Sequence, residues 1–199
     1  MKVIGLTGGI ACGKTTLSSM LKELGAAVID ADEISRSLTA EGGEALPLIR
    51  EAFGDGVFNG DGSLDRKALG SAVFASESER EKLNAILHPM VYGRMEQEIR
   101  FCKEKGLKVV VLDVPLLFET GGDRLADITL CAVVPEEVQI QRLYSRNGLS
   151  REEALSRIRS QMPNEEKARR SHIVIDTNRP LQELEQMIKT LYQEWSQTA

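Results

Sequence analysis

The sequence has few cysteines, no secretory leader and no long apolar run, and each shortage excludes a class of protein. Its 3 cysteines, Cys12, Cys102 and Cys131, lie far apart, so we expect neither a disulfide framework nor a cysteine-rich zinc site. No apolar run approaches the roughly 20 residues of a membrane-spanning helix. The first ten residues hold one lysine followed by glycines, which is not a signal peptide. We therefore predict a cytoplasmic protein with no membrane partner.

An excess of positive charge is also missing. The 199 residues carry 25 Lys+Arg against 30 Asp+Glu, a net charge of -5, and this balance argues against a nucleic-acid-binding surface. A local cationic pocket for a small anion remains compatible with it. The length predicts one domain, with room for an inserted subdomain, and we expect a monomer or a weak homo-oligomer.

Five short runs rich in apolar and β-branched residues alternate with segments of helical spacing. This alternation predicts an α/β fold, with a parallel sheet of about five strands flanked by helices. The runs lack in–out alternation, as expected of strands that are buried on both faces. They are Lys2–Thr7, Ala27–Ala31, Lys108–Val114, Ile128–Val134 and His172–Asp176.

The interval between the second and third runs is too long for a single crossover. It opens with glycine-rich turns around residues 54–62 and continues with apolar residues at three- and four-residue steps. Ser76 and Glu79 form a capping-box pattern, and Pro89 is expected to kink or interrupt the helix. We interpret residues 40–105 as a mostly helical insertion.

A phosphate-binding loop follows the first strand. Residues 8–15, GGIACGKT, match the pattern G-x-x-x-x-G-K-[ST] in its required setting between a strand and a helix. Such a loop turns its amides and a helix start toward phosphate, so we expect ATP and Mg²⁺, with Lys14 on the β- and γ-phosphates and Thr15 on the metal ion. The predicted nucleotide-binding residues are Gly8, Gly9, Ala11, Cys12, Gly13, Lys14, Thr15 and Thr16.

The cysteine inside this loop has two interpretations. A thiol near a helix start and Lys14 can have a depressed pKa and be reactive. Alternatively, Cys12 is simply small enough for the loop.

Three carboxylates lie at the carboxyl ends of predicted strands. This is the edge of a parallel sheet where ligands bind. Asp30 and Asp32 come at the end of the second run, and one of them could accept a proton from an attacking hydroxyl. The alternative is that Asp32 only caps the next helix. Asp113 ends a buried run, the position of an acid that holds Mg²⁺.

Two arginines share one face of a predicted helix. Arg142 and Arg146 lie four residues apart and could hold phosphoryl oxygens, or they could belong to a solvated face. The basic residues around Lys167 are interspersed with glutamates, and we expect their side chains to be solvated. The single histidine of the insertion, His88, has no second histidine near it, so no metal site is predicted there.

These segments together resemble the dephospho-coenzyme A kinase family, over nearly the whole length. The resemblance is carried by the loop, by Asp30-Ala31-Asp32 with Arg36, and by Leu87-His88-Pro89. Further along, it is carried by Val114-Pro115-Leu116-Leu117-Phe118-Glu119, by Gln141-Arg142-Leu143 with Arg146, by Arg157 with Gln161, and by Val174-Ile175-Asp176.

The resemblance implies that ATP phosphorylates the ribose 3′-hydroxyl of dephospho-CoA, the last step of coenzyme A synthesis. It implies that the insertion binds the substrate and that residues 138–164 form a lid. It makes Asp32 the catalytic base, with Lys14 and Arg142 assisting transfer, and Arg142 and Arg146 on ATP. The implied substrate contacts are Asp32, Arg36, His88, Pro89, Pro115 and Leu116.

The chain departs from the family pattern in two places. Ala11 and Cys12 stand where Gly and Ser are usual, which matters if the loop requires a positive φ at residue 11. Residues 176–179, DTNR, replace the usual Asp-Asn and a later Gly.

Three other functions remain as alternatives. A GTPase would need D-x-x-G after the third strand and N-K-x-D elsewhere, and the sequence has neither. The second is a nucleotide-binding regulator without turnover. The third is another kinase of this fold, acting on a nucleoside, a nucleotide or a small metabolite such as shikimate.

Overall fold

The structure is a computed structural model that describes residues 1–198. The chain divides into two compact units. One unit is formed by Met1–Asp30 together with the chain from Glu98 onward, and the other is formed by Ala31–Gln97.

The first unit is built on a 5-stranded sheet in the order β2-β3-β1-β4-β5. All four neighbouring pairs are parallel, so the predicted α/β fold with a parallel sheet is confirmed. The strands match the five predicted runs to within two residues at each end, because β-branched and apolar residues favour the buried strands of such a sheet. They are β1 (Lys2–Gly8), β2 (Ala27–Asp30), β3 (Val109–Asp113), β4 (Ile128–Val133) and β5 (Ile173–Asp176).

The strand register brings the predicted chemical groups to one edge of this sheet. Asp113 lies beside Leu6 on β1 and beside Asp30 on β2. Because the strands are parallel, their carboxyl ends all meet at this edge, where ligands bind in open α/β sheets. The phosphate loop leaves β1 at the same edge.

Helices and a loop cover the two faces of the sheet. On one face, Ile4 and Leu6 of β1 pack into a buried cluster with Leu17 and Leu21 of α1 and with Ile188 of α9. The other face lies against the segment after β3, where Thr7 donates a hydrogen bond to the Pro115 carbonyl. The helices that lie wholly in this unit are α1 (Lys14–Glu23), α6 (Glu136–Asn147), α7 (Arg151–Arg159), α8 (Asn164–Arg170) and α9 (Leu181–Gln197).

The second unit is helical. It contains α2 (Ala31–Leu38), α3 (Leu46–Phe53), α4 (Arg66–Ala75) and most of α5 (Glu77–Glu104). Apolar residues from all four of these helices, among them Ile34, Ile49, Leu69 and Met95, are buried.

Pro89 does not interrupt α5, so that part of the prediction is wrong. The helix is continuous across the proline over its 28 residues. A proline removes one backbone hydrogen bond, and the bonds on either side keep the helix intact. Within the capping-box pattern, the Glu79 amide donates to the Ser76 hydroxyl at 3.4 Å.

Among residues 1–198, the structure has no helix that is long and apolar enough to cross a membrane.

Candidate phosphate-transfer site

The phosphate loop connects β1 to α1 through a tight turn. Gly13 has φ 81° and ψ 18° immediately before the helix, and the Cys12 amide donates to the Gly9 carbonyl at 3.1 Å. A Cβ atom on Gly13 would lie 2.7 Å from the Thr177 hydroxyl, so both the positive φ and the lack of space require glycine here. Ala11 also has a positive φ, 60°, so the loop adopts at residue 11 a conformation that favours glycine.

Lys14 and Asp113 form an ion pair beside the loop. The Lys14 Nζ donates to Asp113 Oδ1, and the Asp113 residue is only 4% exposed. A buried carboxylate without a cationic partner would be costly, so the lysine offsets the charge in this structure. The sequence predicted both residues at the site, but it did not predict that they contact each other.

Three side chains that the sequence analysis did not single out as loop contacts hold the loop from the segment after β4. Gln139 of α6 donates to the Ile10 carbonyl at 2.6 Å, and Gln161 accepts from the Ile10 amide at 2.8 Å. Asn164 donates to the Gln139 side chain at 2.9 Å. Amide side chains carry no charge pattern and fit no phosphate motif, so neither identifies them as loop contacts. Gln161 was noted only as part of the family resemblance.

Arg142 contacts the loop from α6. Its Nη1 donates to the Ala11 carbonyl at 3.0 Å and to the Thr177 hydroxyl at 3.2 Å. Its Nη2 donates to the Thr177 carbonyl at 3.1 Å. The guanidinium group therefore lies at the phosphate loop, whereas the exposed Arg146 donates to the side chain of the adjacent Asn147.

Cys12 is buried, and its environment opposes the reactive interpretation. The residue is 0% exposed, and Asn164 Nδ2 donates to its sulfur at 3.3 Å. Burial raises the pKa of the Cys12 thiol and outweighs the opposing effect of Asn164. The alternative of a depressed pKa is therefore wrong, and the small, apolar character of the thiol accounts for its place in the loop.

Lys167 of α8 is fully buried, so the expectation of a solvated side chain is also wrong. Its Nζ donates to the Pro115 carbonyl at 2.8 Å and to Glu119 Oε1 at 2.6 Å. Glu119 also accepts from the Met162 amide at 3.1 Å. A buried ammonium needs such partners, and they fix the segment after β3 beside Asp113.

The remaining predicted residues lie in the first turns of helices or in the second unit. Thr15 and Thr16 are exposed in the first turn of α1, and Asp32 and Arg36 are exposed on α2.

The predicted substrate contacts of the second unit's long helix lie side by side. His88 packs edge-on against Tyr92, with 6.4 Å between ring centroids, and its burial lowers the pKa of its imidazole. The adjacent Pro89 is exposed. In the first unit, Leu116 follows Pro115 and is 39% exposed.

The oxygen atoms of the loop and of β3 fit a magnesium ion better than a transition metal. Hydroxyl and carboxylate oxygens, such as those of Thr15 and Asp113, are the hard ligands that Mg²⁺ prefers, and it takes most of its shell from water and phosphate. Over residues 1–198 no group of three or more His, Cys, Asp or Glu side chains could hold a metal ion.

Comparison with known proteins identifies the family. The model of the family CoaE, dephospho-CoA kinase, matches residues 2–183. The chain belongs to this family. A curated relative, the dephospho-CoA kinase of Carboxydothermus hydrogenoformans, is 43% identical over 195 residues, covering 98% of this chain and 95% of the relative.

Two solved structures are similar to this chain over nearly its whole length. The crystal structure of TT1252 from Thermus thermophilus has a TM-score of 0.82 at 35% identity and covers 97% of both chains. The dephospho-CoA kinase from Campylobacter jejuni has a TM-score of 0.74 at 25% identity and covers 98% of both chains. The chain is therefore a P-loop kinase that uses ATP, and the GTPase, the regulator and the other metabolite kinases are not favoured.

Proposed function

We propose that this protein transfers the γ-phosphoryl group of ATP to the ribose 3′-hydroxyl of dephospho-CoA, giving ADP and CoA. One observation carries the proposal. Lys14 of the phosphate loop meets the buried Asp113 at the carboxyl edge of a parallel sheet, in a chain that the dephospho-CoA kinase family covers from residue 2 to residue 183.

The loop supplies the phosphate site of this proposal. Its amides and the start of α1 offer hydrogen-bond donors and a positive dipole end to the β- and γ-phosphates. Lys14 exchanges Asp113 for phosphate oxygens when ATP binds, and Arg142 contributes its remaining N–H groups. Phosphoryl transfer needs little covalent chemistry from the protein, so charge stabilisation by these groups accounts for most of the rate.

Thr15 and Asp113 are the residues that would hold Mg²⁺ in this proposal. When bound, the ion neutralises charge on the β- and γ-phosphates. Both side chains supply oxygen. Thr15 lies in the first turn of α1, and Asp113 is the last residue of β3.

The acceptor side of the proposal rests on residues of the second unit and of the segment after β3. Asp32 is the second residue of α2, two residues after the end of β2, and its exposed carboxylate accepts the proton that the ribose 3′-hydroxyl loses on attack. We assign substrate binding to Arg36, His88, Pro89, Pro115 and Leu116. His88 and Pro89 belong to the proposed helical substrate region at residues 40–105.

Residues 138–164 act as a lid in this proposal. They supply the side chains of Gln139, Arg142 and Gln161 to the phosphate loop, so their position and that of the loop are coupled. A lid is needed because a kinase site open to water would hydrolyse ATP. Arg146 lies within this segment and would approach ATP only on closure.

We also propose a cytoplasmic location and action as a monomer or weak homo-oligomer, without nucleic acid. The cytoplasm supplies ATP, and it keeps thiols reduced. The cysteines of this chain are all unpaired.

A substrate panel tests the function. Purified protein with ATP and Mg²⁺ is incubated with dephospho-CoA, AMP, adenosine or shikimate, and ADP formation is followed together with mass spectrometry of the acceptor. Of the four acceptors, we expect only dephospho-CoA to be phosphorylated, with CoA as the product. Comparable turnover of another acceptor, or ATP consumption without any acceptor, contradicts the proposal.

A further inference from the structure

The hydroxyl of Thr177 is buried against the phosphate loop. Thr177 follows β5 and is 5% exposed. Its Oγ1 donates to the Cys12 carbonyl at 2.7 Å and accepts from Arg142 Nη1 at 3.2 Å. One hydroxyl therefore joins the loop to the arginine of α6.

The segment that this hydroxyl holds has an unfavourable backbone conformation. Ala11 has φ 60°, and a left-handed conformation costs a residue with a Cβ atom about 1–2 kcal/mol. Such a conformation persists only where the surroundings enforce it. The carbonyls of Ala11 and Cys12 each accept a hydrogen bond from the pair formed by Arg142 and Thr177.

Residues 11 and 12 of the loop meet residue 177 at this point, although they are distant in the chain. A separation of 165 residues divides Thr177 from Cys12, so no local sequence pattern predicts this contact.

We propose that Thr177 is a positioning residue, whose hydroxyl holds the Ala11–Gly13 segment in the conformation that binds phosphate. It acts through the loop and through Arg142 and not by contact with the adenine base. This inference rests on the proposed use of ATP, but it concerns phosphate binding and is independent of the acceptor.

The effect on affinity follows from the populations of loop conformations. Without the hydroxyl, the Cys12 carbonyl loses a buried donor, and the strain at Ala11 favours other conformations of the loop. The apparent dissociation constant equals the intrinsic constant divided by the fraction of molecules whose loop can bind phosphate, so it rises as that fraction falls. Because one buried hydrogen-bonding group is lost, we expect the dissociation constant to rise about tenfold.

The first experiment compares Thr177→Val with Thr177→Ser. Valine keeps the shape and removes the hydroxyl, whereas serine keeps the hydroxyl. Calorimetric titrations with ADP and with inorganic tripolyphosphate give the dissociation constants. We expect Thr177→Val to weaken both ligands about tenfold, and Thr177→Ser to bind both like the unmodified protein.

Thr190→Val is the matched control. The Thr190 hydroxyl also donates to a backbone carbonyl, that of Gln186 at 3.0 Å, but on the exposed surface of α9. We expect no change in either dissociation constant. If Thr177→Val fails to fold, as judged by circular dichroism, Thr177→Ala removes the hydroxyl without adding bulk and takes its place.

The second experiment relieves the strain. Ala11→Gly removes the cost of the left-handed conformation, so combining it with Thr177→Val should restore most of the affinity for tripolyphosphate. Loss of a simple structural contact would not be rescued in this way, because glycine adds no contact with residue 177.

Three results would overturn the proposal. The first is unchanged tripolyphosphate binding by Thr177→Val together with weaker ADP binding, which would place Thr177 on the base. The second is lower thermal stability with unchanged affinity, and the third is the absence of rescue by Ala11→Gly. Failure of the proposed function would look different, since dephospho-CoA would then not be phosphorylated while tripolyphosphate still bound.

Discussion

At the scale of single residues, the ion pair of Lys14 and Asp113 sets the starting state of the phosphate site. The ammonium group compensates a carboxylate that is almost completely buried. In the proposed function, an arriving triphosphate competes with this carboxylate for the lysine. In that proposal, the affinity for nucleotide depends on how much stronger the charge-assisted hydrogen bond of Lys14 to phosphate is than its bond to Asp113.

The proposed base gives a prediction at the same scale. Asp32→Asn removes the proton acceptor and keeps the size of the side chain, so we expect kcat to fall by at least about 100-fold. The dissociation constant for ADP should stay unchanged, because the phosphate loop is untouched. Steady-state kinetics and calorimetry measure the two quantities.

The neighbouring Glu33 provides the control for this variant. Glu33 is also exposed on α2, so Glu33→Gln removes an equal charge from the same helix turn and should leave kcat unchanged. A normal kcat for Asp32→Asn would remove Asp32 from the proposed role.

Single residues also show where prediction from the sequence ends. The loop and Asp113 could be predicted because a strand, a glycine pattern and a buried acid are local signals. Lys167 could not, because its burial depends on Glu119 and Pro115, which lie about 50 residues away in the chain and contact it only after folding. The contact of Thr177 with the loop has the same origin.

At the scale of elements, local sequence signals predicted where a helix begins better than whether a helix continues across a proline. The S-x-x-E pattern of Ser150 and Glu153 forms a complete capping box at the start of α7, because such a box involves only residues of one helical turn. The continuity of α5 through Pro89 could not be predicted, since helix packing decides whether the lost hydrogen bond is tolerated.

The connection between α8 and the segment after β3 gives a prediction for stability. Lys167→Met keeps the length of the side chain but leaves Glu119 without its cationic partner. We expect the free energy of unfolding to fall by about 2–4 kcal/mol. Urea unfolding followed by circular dichroism measures this change.

Two further variants separate charge from packing in this experiment. Lys189→Met, on the exposed side of α9, makes the same exchange without burial and should leave the stability unchanged. Adding Glu119→Gln to Lys167→Met should recover part of the loss, because no unpaired carboxylate remains. A Lys167→Met protein as stable as the unmodified one would show that the ion pair contributes little.

At the scale of the whole molecule, the alternation of strands and helices was enough to predict a parallel sheet, because crossover connections require it. The order of the strands is a different matter. It depends on which buried faces pack together, and the five apolar runs are too similar to distinguish neighbours. The insertion could be predicted for a simple reason, since the interval between the second and third runs is longer than any single crossover.

The uniform direction of the strands has a practical consequence for handling the protein. β1 begins at Lys2 and ends at the phosphate loop, so Met1 leaves the sheet about 20 Å from the loop, at about 3.3 Å per residue. An affinity tag or surface tether fused there should leave kcat/KM unchanged. The same peptide inserted after Gly148, between α6 and α7, should lower kcat/KM. Assays of the two immobilised fusion proteins would measure this difference.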